Sequence, residues 1–452
     1  MHKTALVINP WVTDFKLYDE WMHPVGLYFL ISLLKHNGFD VCFFDCLQRP
    51  KTAHNKRYNV GDIDHREHPK PTLYGPVKRK YKLYGQSQET LEQYLSTIPK
   101  PDIICFGSGM TYWYPGLLET VQVVLEKLPD IPCVIGGISA KLIPQILRDY
   151  LPNTFIFEGS LFDQSSLENS KIPLIHDLET AQWDKSLLQA LQCLTHAHHG
   201  PILTSLGCPL SCTYCASRIL QKDFIPRDGM IIADEIEYLQ SRFKVEDFAF
   251  YDDALLYQPQ SHFIPLMKLF PKRGITARFH TPNGMHIKWL SPEALAIMRQ
   301  SGFRTLRFGY ESGDNRYRAD TNEKVSNKEL EEKIACTLKI GFTGNDVGVY
   351  VMAGLANQSP GDVQRDMQFV ASQGVKVKPV FLSPVPNTQL FEYYADQYPL
   401  LRTNPLFHND SFFVAQLPGW DFAGIQQIID ISKKFNGNLE IKAETASIIL
   451  KN

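Results

Sequence analysis

Hydrophobic positions in the first 160 residues fall into short continuous runs separated by amphipathic stretches. TALVINP (4–10) reads as a strand, VGLYFLISLLKHNGF (25–39) as a helix ended by Asn37-Gly38, and DVCFFDC (40–46) as a second strand. Strand, helix and strand in that order predict a parallel βαβ unit. The pattern resumes at DIICFGSGM (102–110) and continues through helical YPGLLETVQVVLEKLP (114–129) to the strand CVIGGIS (133–139). A helix over 140–151 and TFIFEGS (154–160) close the series. Short apolar strands alternating with helices predict an open, doubly wound α/β sheet, which binds ligands at the carboxyl ends of its strands. Those ends read Asn9-Pro10, Asp45, Gly107-Ser108-Gly109, Gly136-Gly137 and Glu158-Gly159. Glycines there let backbone N–H groups approach a large ligand closely.

Residues 48–100 interrupt this domain of residues 1–160. The stretch HNKRYNVGDIDHREHPKPTLYGPVKRKYKLYG is basic, rich in proline and without period, so it is expected to be a loop or lid. Lysine, arginine and tyrosine together can contact nucleic acid, but no base-reading motif accompanies them and nucleic acid is not the expected partner. His54, His65 and His68 lack regular ligand spacing. Residues 161–199 read as a linker, with a polar segment at 162–186.

A second series begins at 200. PILTSLGC (201–208) starts with a strand, a helix covers about 230–243, and the strand FAFYDDALLY (248–257) follows. ARFHTPNGMHI (277–287) is the next strand, then the helix PEALAIMRQSGF (292–303). TLRFGYESG (305–313), GNDVGVYVMAGL (344–355) and VKVKPVFLSPVPNT (375–388) complete six strand–helix units over 200–390. Residues 391–452 form a C-terminal extension, with GIQQIIDISKKF as a helix that can cover an open side of the second domain.

At 452 residues the chain exceeds one ordinary hydrophobic core. Its net charge of -2 gives no global pull toward nucleic acid or an acidic membrane surface. The longest apolar run, residues 25–34, is half of what a bilayer span needs, and the amino-terminal run is too short for a signal peptide. No membrane is expected and a cytoplasmic setting is, where thiols stay reduced.

In that setting the nine cysteines carry more information. Three stand in LGCPLSCTYC as C-x3-C-x2-C: Cys208, Cys212 and Cys215. Three thiolates so close can converge on one metal centre. Zinc would require a fourth ligand, and a cubane 4Fe–4S cluster ordinarily has four cysteines. Cys193 is fifteen residues upstream and Cys336 lies in a helical pattern. Three ligands would leave one iron open to another molecule.

The C-x3-C-x2-C spacing, with the aromatic Tyr214 before its last cysteine, resembles the signature of the radical S-adenosylmethionine superfamily. The resemblance implies a partial (β/α)6 TIM-like barrel, with its chemistry at the carboxyl ends of the strands. It also implies a 4Fe–4S cluster on the three cysteines and S-adenosylmethionine on the open iron, cleaved to a 5′-deoxyadenosyl radical. Tyr214, Tyr251, Asp252, Asp253 and Asn283 fall at the implied cofactor positions, the carboxylates suiting the methionyl ammonium. Glu311 and Ser312 fall at the ribose position.

An α/β domain before such a barrel resembles the cobalamin-dependent subfamily. The matching pieces are Ser108-Gly109-Met110-Thr111, Gly136-Gly137 and Glu158-Gly159. The aromatics of TYWYPG (111–116) are expected beside the corrin or substrate, or in the core. One departure matters. Cobalamin proteins that bind through histidine carry D-x-H-x-x-G, and here EWMHPVG (20–26) puts Trp21 where the aspartate belongs, leaving His23 without an orienting carboxylate. The activity implied is methylation of an unactivated carbon, with a small-molecule or peptide substrate and an external flavodoxin-like or ferredoxin-like electron donor. A cyclisation or rearrangement, or a domain that has lost cobalamin, is the alternative.

Overall fold

The computed structural model describes residues 3–317 and 325–449, so the outermost residues of the predicted first domain and C-terminal extension, with 318–324 of the barrel, lie outside it. The chain divides into two compact units. One comprises Met1–Pro201 with Asp234–Val245 and Arg402–Phe407; the other comprises Ile202–Ala233, Glu246–Leu401 and His408–Asn452.

The strands of the first unit are β1 (Lys3–Asn9), β2 (Val12–Asp14), β3 (Phe39–Asp45), β4 (His65–Glu67), β5 (Lys82–Tyr84), β6 (Ile103–Phe106), β7 (Cys133–Ile135) and β8 (Phe155–Ile156). Five of them form a parallel sheet in the order β3-β1-β6-β7-β8. Ala5 to Ile8 are fully buried, which is why β1 is a continuous apolar run rather than an alternating one. The chain leaves β1 in one direction for β3 and in the other for β6. This makes the carboxyl ends of β1 and β6 the topological switch point, where a doubly wound sheet opens its crevice.

Residues 48–100 are not the irregular loop their composition suggests. β4 and β5 join β2 in a three-stranded antiparallel sheet ordered β2-β5-β4, and Gln88–Thr97 is a helix capped by the Ser87 side chain on the Thr90 N–H. Strands of three residues are too short for a period to show. They are held by tertiary burial of Tyr74, Tyr81, Leu83 and Tyr84. Residues 161–199 are packed as well. Leu167, Ile172, Ile175, Leu178 and Trp183 are buried, and Phe162 stacks on Trp183 at 5.7 Å.

The second unit is built on β9 (Gly200–Ile202), β12 (Asp247–Phe250), β13 (Arg278–His280), β15 (Phe303–Glu311), β16 (Val347–Ala353) and β17 (Lys376–Phe381). The sheet runs β17-β16-β15-β13-β12-β9, with β14 (Met285–His286) paired to β15. β10 (Ser205–Leu206) and β11 (Ile225–Pro226) form a small antiparallel pair. These are the six expected strand units of a partial barrel. The stretch expected as one strand over 277–287 is split into β13 and β14. Pro282 has no amide to continue the ladder, and Thr281 Oγ1 accepts the Arg307 N–H instead, at 3.0 Å. At the sheet's open edge, Asn436 of the helix Phe422–Ile449 accepts the Val377 N–H and donates to its carbonyl, both at 2.9 Å. The extension thereby satisfies backbone groups that an edge strand leaves bare.

A buried charge cluster braces the amino end of the barrel. Asp247 accepts from Arg278 through two nitrogens at 2.6 Å and from His280 Nε2 at 3.0 Å. Burial pushes the Asp247 carboxyl up, but the bonds from Arg278 and His280 outweigh it and hold it at about 2. A carboxylate with a depressed folded pKa stabilises fully above its unfolded value and loses that contribution as pH falls toward the folded value. Thermal unfolding is therefore expected to show Tm falling between about pH 4 and pH 2, with a shallower slope in Asp247→Asn. An unchanged slope in the variant would remove this assignment.

Candidate functional site

The cysteine loop hangs from the carboxyl end of β9. Tyr251 N–H donates to the Ile202 carbonyl at 2.7 Å, joining β12 to β9. The next residue, Asp252, is 4% exposed. Its carboxylate accepts from Thr204 N–H (3.0 Å), Thr204 Oγ1 (2.6 Å) and Ser205 Oγ (2.7 Å). Burial raises its pKa, against the lowering effect of those bonds. Asp252 thus ties the end of β12 to the residues that lead into the loop. Its carboxylate is engaged by its own chain at the strand end where a grip on the methionyl ammonium is expected. Asp253, beside it, is exposed.

β10 then carries the chain to Gly207, which has φ +76° and whose Cβ would stand 2.4 Å from the Asp223 carbonyl oxygen. Only glycine fits there. Cys208 is buried, Cys212 half-buried and Cys215 exposed. Burial first, and then the negative charges of Asp253, Cys215 and Cys212, push the Cys208 thiol up to about 11. Cys215 N–H closes a turn on the Cys212 carbonyl at 3.1 Å, and Cys215 Sγ accepts the Ser217 N–H at 3.5 Å.

Among the described residues no three His, Cys, Asp or Glu side chains converge on a single ion position. A mononuclear site would need its sulfurs packed around one metal at ~2.3 Å each. A cubane needs one thiolate per iron, so its donors stand around a cluster rather than around a point. The donor chemistry and loop placement fit that group: three soft sulfurs, all free thiols, at the carboxyl end of a barrel strand.

The neighbouring strand ends bring further residues. Asn283, after β13, donates its side-chain amide to the Tyr251 carbonyl at 3.0 Å, which leaves its Oδ1. Glu311 ends β15 in the left-handed region (φ +66°), is 5% exposed, and lies at an irregularity in the pairing with β16. Burial and, next, the Glu311 charge raise the Tyr214 hydroxyl pKa. A non-glycine residue in that conformation costs roughly 1–3 kcal/mol and persists only where its surroundings impose it. Here the restraint is Asp366, which accepts from Ser312 Oγ at 2.5 Å and from Gly313 N–H at 3.2 Å. Ser312 is 2% exposed and engaged by Asp366. This bond fixes the turn that carries Glu311. Thr204, Ser205 and Asp366 were not marked by the sequence. The first two sit directly before the cysteine motif, a signal that was available, whereas Asp366 lies mid-helix with none.

In the first unit, Ser108 Oγ donates to the Gly136 carbonyl at 2.7 Å and accepts the Ala140 N–H at 3.1 Å. Gly137 has φ +100°, and its Cβ would stand 2.6 Å from the Ser108 carbonyl oxygen. The chain's own loop therefore demands this glycine. Gly136 differs: a Cβ there would meet nothing nearer than Phe157 at 4.0 Å, so this strand end has room beside it. Gly159 is closed in by Ser166 and Phe157, Glu158 is paired with Arg148, and Thr111 is buried. Of the TYWYPG aromatics, Tyr112 and Tyr114 are buried, and Trp113 Nε1 donates to Asp14 at 2.8 Å.

His23 is not without a carboxylate. His199 Nε2 contacts Asp19 Oδ2 at 2.8 Å, and His199 Nδ1 contacts His23 Nε2 at 2.9 Å. His23 Nδ1 contacts the Tyr28 hydroxyl at 3.1 Å. Asp19 accepts from His199 Nε2, the two imidazole rings share one hydrogen bond, and His23 shares another with the Tyr28 hydroxyl. Burial, and then the His199 charge, push His23 down to about 3. Both its ring nitrogens are thus taken. The carboxylate missing from the linear motif is supplied two residues earlier than Trp21, through a histidine 176 positions away.

No described helix is long and apolar enough to cross a membrane. Residues 202–370 match the model of the Radical SAM superfamily. The chain is similar to the cytidylyl-2-hydroxyethylphosphonate methyltransferase of Streptomyces wedmorensis, with 23% identity over 98% of this chain and 91% of that one. It is also similar to the bacteriochlorophyllide d C-12(1)-methyltransferase of Chlorobaculum tepidum, with 27% identity over 44% of this chain and 43% of that one. Its fold matches the radical S-adenosylmethionine methyltransferase TsrM of Kitasatospora setae, solved with cobalamin and a [4Fe-4S] cluster bound. The TM-score is 0.61 at 14% identity, over 88% of this chain and 78% of that one. Residues 202–370 of the chain are thus a radical SAM domain.

Proposed function

We propose that the protein is a cobalamin-dependent radical S-adenosylmethionine methyltransferase acting on an unactivated carbon of a small molecule. The observation that carries this reading is the placement of Cys208, Cys212 and Cys215 in the loop after β10, with Asp252, Asn283 and Glu311 at the ends of the neighbouring barrel strands. Relatives named as methyltransferases support the reaction type, and the two-part fold shared with TsrM supports the cofactor pair.

When bound, the cluster and S-adenosylmethionine supply a 5′-deoxyadenosyl radical, and cobalamin supplies a methyl carrier. Cys208, Cys212 and Cys215 would hold the cluster. Tyr251, Asp253, Asn283 and Glu311 would hold S-adenosylmethionine beside it. Asp252 and Ser312 act through other residues, the first by pinning Thr204 and Ser205, the second by pinning the Glu311 turn. In the first unit the backbone at Ser108-Gly109 and the open flank of Gly136 border the crevice for the corrin. No side chain is assigned as a general base, since a radical abstracts hydrogen itself. The protein's work is to orient the reactants and exclude water. An external flavodoxin-like or ferredoxin-like protein delivers the electron, and nine free thiols fit the reducing cytoplasm.

Oxygen-free incubation of the reconstituted, reduced enzyme with S-adenosylmethionine tests the reading. 5′-Deoxyadenosine by mass spectrometry and corrin absorbance retained after gel filtration are both expected. An iron–sulfur shoulder with no corrin band removes cobalamin, and absence of the nucleoside removes the radical chemistry.

A further inference from the structure

The 65–82 hairpin borders a cleft of about 430 Å³ lined by Glu67, His68, Lys70, Lys78, Arg79 and Tyr81, among others. The lining carries four cations, Lys70, Lys78, Arg79 and Lys80, against one carboxylate, Glu67. That carboxylate is already paired with Lys80 at 2.7 Å. Lys70 Nζ donates to the Val77 carbonyl at 2.7 Å, closing the loop at the cleft's far end. Lys78 and Arg79 are exposed and take part in no ion pair among the described residues.

A solvated basic loop does not require support, but this one has it. Phe15, Tyr74 and Tyr81 are buried beneath the cations, with ring centroids 5.0 Å (Phe15–Tyr74), 5.3 Å (Phe15–Tyr81) and 5.5 Å (Tyr74–Tyr81) apart. The Arg79 guanidinium stands over the Phe15 ring at 5.8 Å. Tyr74 donates its hydroxyl to the Leu406 carbonyl at 2.7 Å, and His68 is paired with Glu119. Three consecutive cations are thereby carried on a backbone braced by buried rings, which keeps their positive charge at one place on the surface. The chain as a whole is net -2, so the positive charge is local.

We infer that this cleft binds the phosphate or phosphonate group of a small molecule. Phosphate-class dianions match clustered lysines and an arginine fork better than a single carboxylate does. The volume falls in the range of small-ligand sites, and the cations are confined to one hairpin rather than laid along a track, which disfavours nucleic acid. Identifying the ligand with the methyl-accepting substrate rests on the proposed function; the anion site itself does not.

Calorimetry on the full-length, cluster-loaded protein tests it with inorganic phosphate, methylphosphonate, cytidine diphosphate and a single-stranded RNA oligomer. Saturable one-to-one binding of at least one phosphate or phosphonate probe is expected, weakened at least tenfold in Lys78→Gln/Arg79→Gln. Iron content and 5′-deoxyadenosine formation without substrate stay unchanged in that variant. The ranking of methylphosphonate against the two phosphates identifies which anion the cleft prefers. No saturable binding, equal affinity in the variant, or tighter binding of RNA than of every small anion overturns the inference. Anion binding in a protein that makes no 5′-deoxyadenosine leaves the cleft standing and removes only the radical chemistry.

Discussion

Cys212→Ala is expected to abolish 5′-deoxyadenosine formation and to leave the purified protein nearly free of iron. Each thiolate serves one iron of a cubane, so the variant retains two ligands where the cluster has three. Losing a ligand costs at least the ~10–100-fold in affinity that loss of an outer hydrogen bond costs a metal site. The loop backbone does not depend on the thiol, because its closures are the Cys215 N–H bond to the Cys212 carbonyl and the Leu390 N–H bond to the Thr213 carbonyl. Tm should therefore move little relative to the cluster-free wild type. Cys336→Ala, in the helix Asn327–Lys339, is the control and should keep both iron and activity. Iron and acid-labile sulfide assays with product mass spectrometry decide the matter. A cluster-loaded, active Cys212→Ala protein would refute the assignment of these thiols.

Asp252→Ala should strip the cluster without touching a cluster ligand. The substitution removes the acceptor for three donors and leaves the Thr204 N–H, in a residue 1% exposed, without its partner. An orphaned buried donor costs about 1–3 kcal/mol, and Thr204 stands four residues before Cys208. The expected result is a loss of iron on the order of tenfold or more, with a smaller fall in Tm. Asp252→Asn recovers part of the iron, since an amide oxygen still accepts and the two hydroxyls can rotate to accept from its nitrogen. The competing role, a direct grip on the methionyl ammonium, predicts full iron content with a raised KM for S-adenosylmethionine. Iron loading and KM measured on one preparation separate the two.

Much of the architecture is legible in the linear chain. The alternation of buried strands and amphipathic helices marks both sheets, because a strand covered on both faces must be apolar throughout. The cysteine spacing marks the metal loop for a similar reason: three ligands on one loop are a local fact. Legibility fails where local composition and tertiary environment disagree. The 48–100 stretch has the composition of a loop because Lys78, Arg79 and Lys80 dominate it, yet Tyr74 and Tyr81 bury themselves and order it. Gly137 has the position of a ligand cradle, yet its conformation answers to the Ser108 carbonyl.

The sequence by itself determined the order of elements, the cysteine trio and the strand ends at which chemistry is placed, since each depends on neighbours along the chain. Tertiary structure alone decided which polar groups remain available. Asp252 meets Thr204 across 48 positions, Ser312 meets Asp366 across 54, and His23 reaches Asp19 through His199 across 176. A buried polar group takes whichever partner packing brings within hydrogen-bond reach, and no spacing in the linear chain encodes that distance.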